Sequence, residues 1–216
     1  MAINTYLFDL DGTLIDSIPL ITGTFQMVFK HFSLPWDNGE VLKTIGIPLK
    51  EVAQRYLPGR SEEFIEKYSL FQKEKHADCI KCYPGSMKML ESIKCGGFNT
   101  GVVTSKRRVP ALADMELTGL SKYIDTAVTS EDVSKPKPHP EPVLKALELL
   151  KARPEGAVFI GDSWYDIMAG KQAGVITVGV TWGIASRGEL IKENPDYIVD
   201  SWHELGKVLF SLGGPR

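Results

Sequence analysis

The residues best suited to chemistry stand near the amino terminus, in Tyr6-Leu7-Phe8-Asp9-Leu10-Asp11-Gly12-Thr13-Leu14. A short apolar run of strand type ends there in two carboxylates one residue apart, then a glycine. Side chains alternate along a strand, so Asp9 and Asp11 can point the same way. Two like charges that close are costly unless a shared proton or a cation relieves them, and a hard divalent cation with oxygen ligands is the obvious relief. Gly12 lets the backbone turn sharply. An exposed Asp-Gly turn after an edge strand is the plainer alternative, since both residue types are common in turns.

Three further pieces carry matching chemistry. Gly101-Val102-Val103 ends in Thr104-Ser105-Lys106, whose hydroxyls and backbone N–H groups could hold phosphate oxygens or simply form a strand-end turn. In Ser134-Lys135-Pro136-Lys137-Pro138-His139-Pro140, alternating prolines stiffen the chain. A lysine fixed in this way beside carboxylates is a suitable point charge for phosphate, although a solvated basic loop has the same composition. Ala157-Val158-Phe159-Ile160 ends in Gly161-Asp162-Ser163-Trp164-Tyr165-Asp166. Asp162 and Asp166, four apart at a helix start, are expected on one face. Alone they would be an N-cap and a surface acid; with Asp9 they make an oxygen-rich cation site.

The elements that must position these groups follow from apolar rhythm. From Tyr83-Pro84-Gly85 onward, helical and strand patterns alternate: helix 87–95, strand 100–104, helix 109–117, strand 126–129, helix 140–150, strand 157–160, helix 165–173, strand 176–180, strand 197–199 and helix 202–212. The strand runs are continuously apolar, as expected for a parallel sheet covered by helices on both faces. Residues 16–82 show no strand-like alternation and read as an all-helical insertion, with Ser17 and Ser61 as helix starts and the last long helix ending near Lys75. The expected architecture is therefore α/β: a Rossmann-like parallel-sheet core of residues 1–15 and 83–216, and a helical cap of residues 16–82. A cover that enters and leaves beside the carboxylate turn is a natural lid.

Composition narrows the function. The chain has 216 residues, a formal charge of −2, 43% apolar and 24% charged residues, an ordinary globular balance. Without a basic excess, neither nucleic acid nor an anionic membrane is an expected partner. No apolar run approaches a membrane span, and the first residues lack a signal-peptide pattern, so a cytoplasmic protein is expected. Cys79, Cys82 and Cys95 are an odd set and do not read as a disulfide framework. His76, Cys79 and Cys82 could open a zinc site, but a single CxxC has no second pair to answer it, so reduced thiols are expected. Oligomeric state is not legible.

The four pieces resemble, in order and spacing, the motifs of the haloacid dehalogenase superfamily of phosphotransferases: Asp9-Leu10-Asp11-Gly12-Thr13, then Thr104, then a lysine between Lys135 and Pro140, then Gly161-Asp162 with Asp166. Residues 16–82 resemble that family's helical cap. Gly179-Val180-Thr181-Trp182-Gly183 and Pro195-Asp196-Tyr197-Ile198-Val199 resemble its phosphoglycolate phosphatase branch, and Lys137-Pro138-His139-Pro140-Glu141-Pro142 the bacterial pyrophosphatases within it. The resemblance implies a Mg2+-dependent phosphatase acting on a small phosphorylated substrate. Asp9 would be the nucleophile, Asp11 the general acid and base, and Asp9, the Asp11 carbonyl, Asp162 and Asp166 the metal site. Thr104, Ser105, Gly12 and a lysine would hold the phosphoryl group. Lys135 and Lys137 are both followed by Pro-x-Pro; Lys137 is preferred because Pro140-Glu141 then opens a helix as in the family. Asp11 is an acid where the dehalogenases lack one, which favours phosphate over carbon–halogen chemistry. A phosphohexomutase of the same fold and a non-catalytic phosphate-binding protein are the competing expectations. For an anionic leaving group, the turn Ile45-Gly46-Ile47-Pro48 and the cations Lys43, Lys50 and Arg55 are the expected cap contacts.

Overall fold

In this computed structural model, which describes residues 3–213 with the side chains at 75, 77 and 78 excepted, the expected alternation is realised. Along the chain run β1 (Thr5–Phe8), β2 (Ile15–Asp16), α1 (Ile18–His31), α2 (Leu49–Tyr56), α3 (Ser61–Cys79) and β3 (Lys81–Cys82). They are followed by α4 (Ser86–Cys95), β4 (Asn99–Val103), α5 (Arg108–Thr118), β5 (Thr126–Val128), α6 (Glu141–Leu149) and β6 (Ala157–Gly161). The chain closes with α7 (Trp164–Ala173), β7 (Ile176–Val180), α8 (Arg187–Lys192), β8 (Tyr197–Val199) and α9 (Trp202–Ser211). Residues 1, 2 and 214–216 of the expected core lie outside the described residues.

Six strands form one sheet in the order β5-β4-β1-β6-β7-β8, parallel at every pairing. Alternate residues of each strand feed opposite cores. Tyr6, Phe8, Val102, Val158 and Ile160 pack with Leu90, Ile93, Ala111, Met115 and Leu205 on one face. Leu7, Val103 and Phe159 pack with Val143, Ala146, Leu147 and Ala169 on the other. This two-sided burial is why the strands are continuously apolar. The fold is an α/β parallel sheet covered by helices. From β1 the chain builds outward through β4 and β5, then returns to lay β6 on the other side of β1. A crevice opens at the carboxyl ends of strands where order reverses in this way. Asp9, Thr104 and Asp162 directly follow β1, β4 and β6.

The stretch expected to be all-helical has a second apolar cluster, in which Ile21, Phe25, Val28, Phe29, Val52, Phe64 and Tyr68 bring α1, α2 and α3 together. Its ends are not helical. Ile15 pairs with Cys82 and Asp16 with Lys81 in an antiparallel ribbon, too short for alternation to show in the sequence. Helix α3 runs to Cys79 rather than Lys75, since no Gly or Pro interrupts it earlier. Ser61 is its first helical residue, preceded by Arg60 at the cap position. Ser17 occupies the cap position of α1, but its side chain makes no capping bond; the hydroxyl donates instead to Asp11 Oδ1 at 2.6 Å. No helix among the described residues is long and apolar enough to cross a membrane.

Candidate active site

Asp9 continues β1 by one rung, its N–H donating to the Ile160 carbonyl at 2.9 Å. This extension carries a carboxylate into the interior, where it is 4% exposed. One oxygen of each of Asp9, Asp162 and Asp166 lies within 4.8 Å of the others, and no other such acid, histidine or cysteine cluster occurs among the described residues. His76, Cys79 and Cys82 therefore do not assemble. Burial pushes the Asp9 carboxyl well above its ordinary range; Asp166, Asp162 and Asp11 push the same way, against Lys137. Burial and Asp166 likewise raise Asp162 to about 7, opposed by the Ile184 N–H, Thr13 and Lys137.

The surrounding bonds fix these acids differently. Thr13 Oγ1 donates to Asp162 Oδ1 and the Ile184 N–H to Oδ2, both at 2.8 Å. Two glycines leave room for this carboxylate: a Cβ on Gly12 or on Gly183 would stand 2.2 Å from Asp162 Oδ2. Asp166 is the N3 residue of a capping box at the start of α7. Its Oδ2 accepts from the Ser163 N–H at 3.0 Å and from the Ser163 hydroxyl at 2.5 Å. The cap of α7 is thus Ser163, and Asp162 precedes the helix rather than sharing a helical face with Asp166. The capping box between Ser163 and Asp166 achieves the approach that helical spacing was expected to supply.

Of the two lysines in the proline loop, Lys137 is the one brought to the carboxylates. It is 2% exposed, with Nζ 3.0 Å from Asp9 Oδ1 and 2.6 Å from Asp166 Oδ1, whereas Lys135 is exposed. Burial would lower the Lys137 ammonium, but Asp166 and Asp9 hold it above its ordinary value. With all three ionised, the carboxylates would exceed the one ammonium by two charges, and this crowding adds to burial in raising Asp9 and Asp162. Asp9 Oδ1 lies beside Lys137 yet has no hydrogen bond of good geometry. Three buried carboxylates with oxygens this close, opposed by one ammonium, fit a divalent hard cation such as Mg2+.

Asp11 is held at the mouth of this cluster. Its Oδ1 accepts from Ser17 and from Lys106 Nζ, the latter at 2.8 Å. Thr104 is buried, and its N–H extends β4 by donating to the Val128 carbonyl at 2.9 Å. Ser105 reaches across to the insertion, its hydroxyl donating to the Gly46 carbonyl at 2.6 Å. A cavity of about 600 Å3 opens over Asp9, Asp11, Thr104, Ser105 and Asp162. The insertion closes it with Ile21, Phe25, Ile45, Gly46, Ile47 and Leu49.

The expected cap cations are not brought there. Lys43 has a side chain 72% exposed and paired with Glu40 at 2.7 Å; Lys50 and Arg55 are exposed, the latter over the Tyr56 ring, and none of the three lines the cavity. Lys43 lies in a short 3-10 segment, Asp37–Thr44, and Lys50 and Arg55 in α2; each side chain faces outward, a choice that spacing alone could not make. The cations lining the cavity are Lys73, Lys106 and Arg107. Lys106 was visible beside Thr104 but carried no distinguishing signal. Asp114 had one: an acid between Ala111 and Met115 on the inward face of a helix.

Gly12→Ala tests how tightly the carboxylates are housed. At φ +80° with Asp162 in contact distance, the methyl has no space. The expected result is a loss of about 1–3 kcal/mol in denaturant unfolding, together with weakened Mg2+ binding. Unchanged stability would show that the turn can relax away from Asp162.

Comparisons with known proteins agree with this geometry. The family model for haloacid dehalogenase-like hydrolases matches residues 6–180. The pyrophosphatase PpaX of Bacillus mycoides is 37% identical over 215 residues, covering 99% of this chain and 100% of that protein. A crystal structure of a predicted phosphatase from Clostridium acetobutylicum superposes with a TM-score of 0.87 at 31% identity, covering 98% of this chain and 100% of the other. A predicted phosphoglycolate phosphatase from Haemophilus somnus gives a TM-score of 0.87 at 25% identity, over 95% of this chain and 97% of that one. Carboxylates at the tips of β1 and β6, a full-length relative of known name and a matching sheet converge: the chain belongs to the haloacid dehalogenase-like hydrolases.

Proposed function

We propose that the protein is a Mg2+-dependent phosphatase of small phosphorylated metabolites, with pyrophosphate as the favoured substrate and phosphoglycolate next, acting through an aspartyl-phosphate on Asp9. The observation that carries this reading is the convergence of Asp9, Asp162 and Asp166, one oxygen of each within 4.8 Å of the others, with Lys137 against two of them. Asp9, the Asp11 carbonyl and Asp162 would hold the metal. Asp166, with one oxygen on Lys137 and the other on Ser163, orients the lysine. When bound, Mg2+ supplies positive charge that offsets repulsion between the nucleophile and the phosphoryl oxygens.

In the first step an Asp9 oxygen attacks phosphorus, the bond from phosphorus to the leaving oxygen breaks, and Asp11 donates a proton to that oxygen. In the second, Asp11 takes a proton from water, the water oxygen attacks phosphorus, and the bond to Asp9 breaks to release phosphate. Lys137, the Thr104 hydroxyl and the Ser105 N–H hold the phosphoryl oxygens throughout. In this reading the lining cations Lys73 and Arg107, rather than Lys43, Lys50 and Arg55, would meet an anionic leaving group.

A second reading has its own observation. The cavity wall from the insertion is mostly aliphatic and aromatic, and about 600 Å3 is a volume typical of sites for larger ligands. A phosphomonoester with a partly apolar leaving group would use that wall. Comparing kcat/KM for pyrophosphate, phosphoglycolate and an aryl phosphate separates the two. Pyrophosphate should lead, and activity should vanish on chelation; an aryl phosphate preferred over both anions would favour the second reading. Metal binding itself is checked without turnover. Mg2+ at a hundredfold excess over its dissociation constant should stabilise the protein by about 2.7 kcal/mol, seen as a rise in Tm. Asp162→Asn should abolish that rise.

A further inference from the structure

The last turn of α3, in the insertion, carries His76, and the middle of α5, in the sheet-bearing part of the chain, carries Asp114. Asp114 is fully buried on the same face as Ala111 and Met115. A carboxylate in such a place is costly unless it is paired. Its two oxygens are divided between two parts of the molecule. Oδ1 pairs with His76 Nε2, and Oδ2 lies 2.5 Å from Lys106 Nζ. The same Lys106 Nζ stands 2.8 Å from Asp11 Oδ1. Four side chains thus form a line of charge contacts from the inserted helix to Asp11, His76, Asp114, Lys106 and Asp11, in which Asp114 Oδ2 meets Lys106 as an ion pair without hydrogen-bond geometry. Both contacts that orient Asp11, from Lys106 and from Ser17, fall on Oδ1, which leaves Oδ2 as the oxygen for proton exchange.

We propose that His76 and Asp114 are positioning residues for Asp11: α3, when seated, places His76 on Asp114, Asp114 fixes Lys106, and Lys106 fixes the carboxylate that moves the proton. This rests on the reading of Asp11 as general acid and base. The line crosses from the insertion to the sheet, so seating of the insertion and readiness of Asp11 are one event. Neither residue touches the phosphoryl group in this scheme. A loss of either leaves Asp9, Lys137 and the metal cluster intact, but lets Lys106 and Asp11 rotate.

The test separates the two chemical steps. With 4-nitrophenyl phosphate the leaving group needs little help from an acid, whereas hydrolysis of the aspartyl-phosphate needs Asp11 as a base. Stopped-flow records on the full-length, Mg2+-loaded His76→Ala and Asp114→Asn proteins should show a stoichiometric burst of 4-nitrophenol at nearly the wild-type rate. The steady state after it should be slowed about 10- to 100-fold. His76→Gln, which keeps a donor at the same reach, should recover most of the steady-state rate. Burst and steady state falling in parallel would mean only a loosened fold and would overturn the proposal, as would an unchanged steady state. Should Asp114→Asn fail to fold, His76→Ala, at a position 24% exposed, decides alone. Asp11→Asn serves as the reference. A burst there but not in His76→Ala defeats the positioning line; no burst in Asp11→Asn defeats the acid–base reading beneath it.

Discussion

Asp9→Asn should reduce phosphate release by a factor on the order of 10^3 or more, the scale seen when one member of a catalytic unit is removed, while leaving the fold intact. The reasoning is both chemical and electrostatic. An amide cannot form the acyl-phosphate, so the covalent route closes. The same change removes a charge that the metal-free interior tolerates poorly. Burial, followed by the charges of Asp166, Asp162 and Asp11, raises the Asp9 carboxyl above its value in the unfolded chain. An acid raised in this way costs the folded state stability as pH climbs from the unfolded value toward the folded one, and the full cost persists above it. At neutral pH without Mg2+, Asp9→Asn should therefore be at least as stable as the wild type. Near-native turnover would end the covalent mechanism; a large drop in metal-free Tm would show that Asp9 is better compensated than its neighbours suggest.

Lys137→Ala should be the most damaging substitution for stability and should abolish activity too. Among the described residues the ammonium is the only cation beside Asp9, Asp162 and Asp166, with contacts at 3.0 and 2.6 Å to two of them. Its loss leaves buried carboxylates without their partner, a change that typically costs about 3–5 kcal/mol. Part of this loss should be recovered by Mg2+, which binds the folded state, whereas activity should not recover because a phosphoryl contact is gone. Lys135→Ala, at an exposed position whose backbone N–H bonds Glu141, should change neither quantity much. Urea unfolding with and without Mg2+, beside turnover, checks the pair. Equal effects from the two lysines would mean that the buried contact carries little.

The sheet was legible because its strands are buried on both faces. Such strands leave unbroken apolar runs that end abruptly where the crevice begins, as Phe8 gives way to Asp9 and Ile160 to Gly161-Asp162. Acids placed directly after such runs announce themselves. Where groups meet through a capping box or by side-chain reach, spacing gives no such signal. Asp166 reaches the cluster through its bonds to Ser163, not through a shared helical face. Ser17 looks like a helix cap and spends its hydroxyl on Asp11. Lys43, Lys50 and Arg55 occupy the right stretch, but their short helices turn them outward. His76 and Asp114 are separated by 38 positions, and their side chains meet only in the folded chain.

The ribbon of β2 and β3 has a consequence for how such proteins can diversify. Because Ile15 and Cys82 are partners across it, the chain departs from the sheet and rejoins it at a single doorway. The ends are already held together, so the entropic cost of what lies between them grows only with the logarithm of its length. A different excursion, longer or shorter or folded otherwise, could be spliced through the same doorway without disturbing the order of the six parallel strands or the acids at their tips. An exchanged excursion would lay a new wall over the cavity, and it would also have to resupply the contacts that Ser17 and His76 send toward Asp11 from within it.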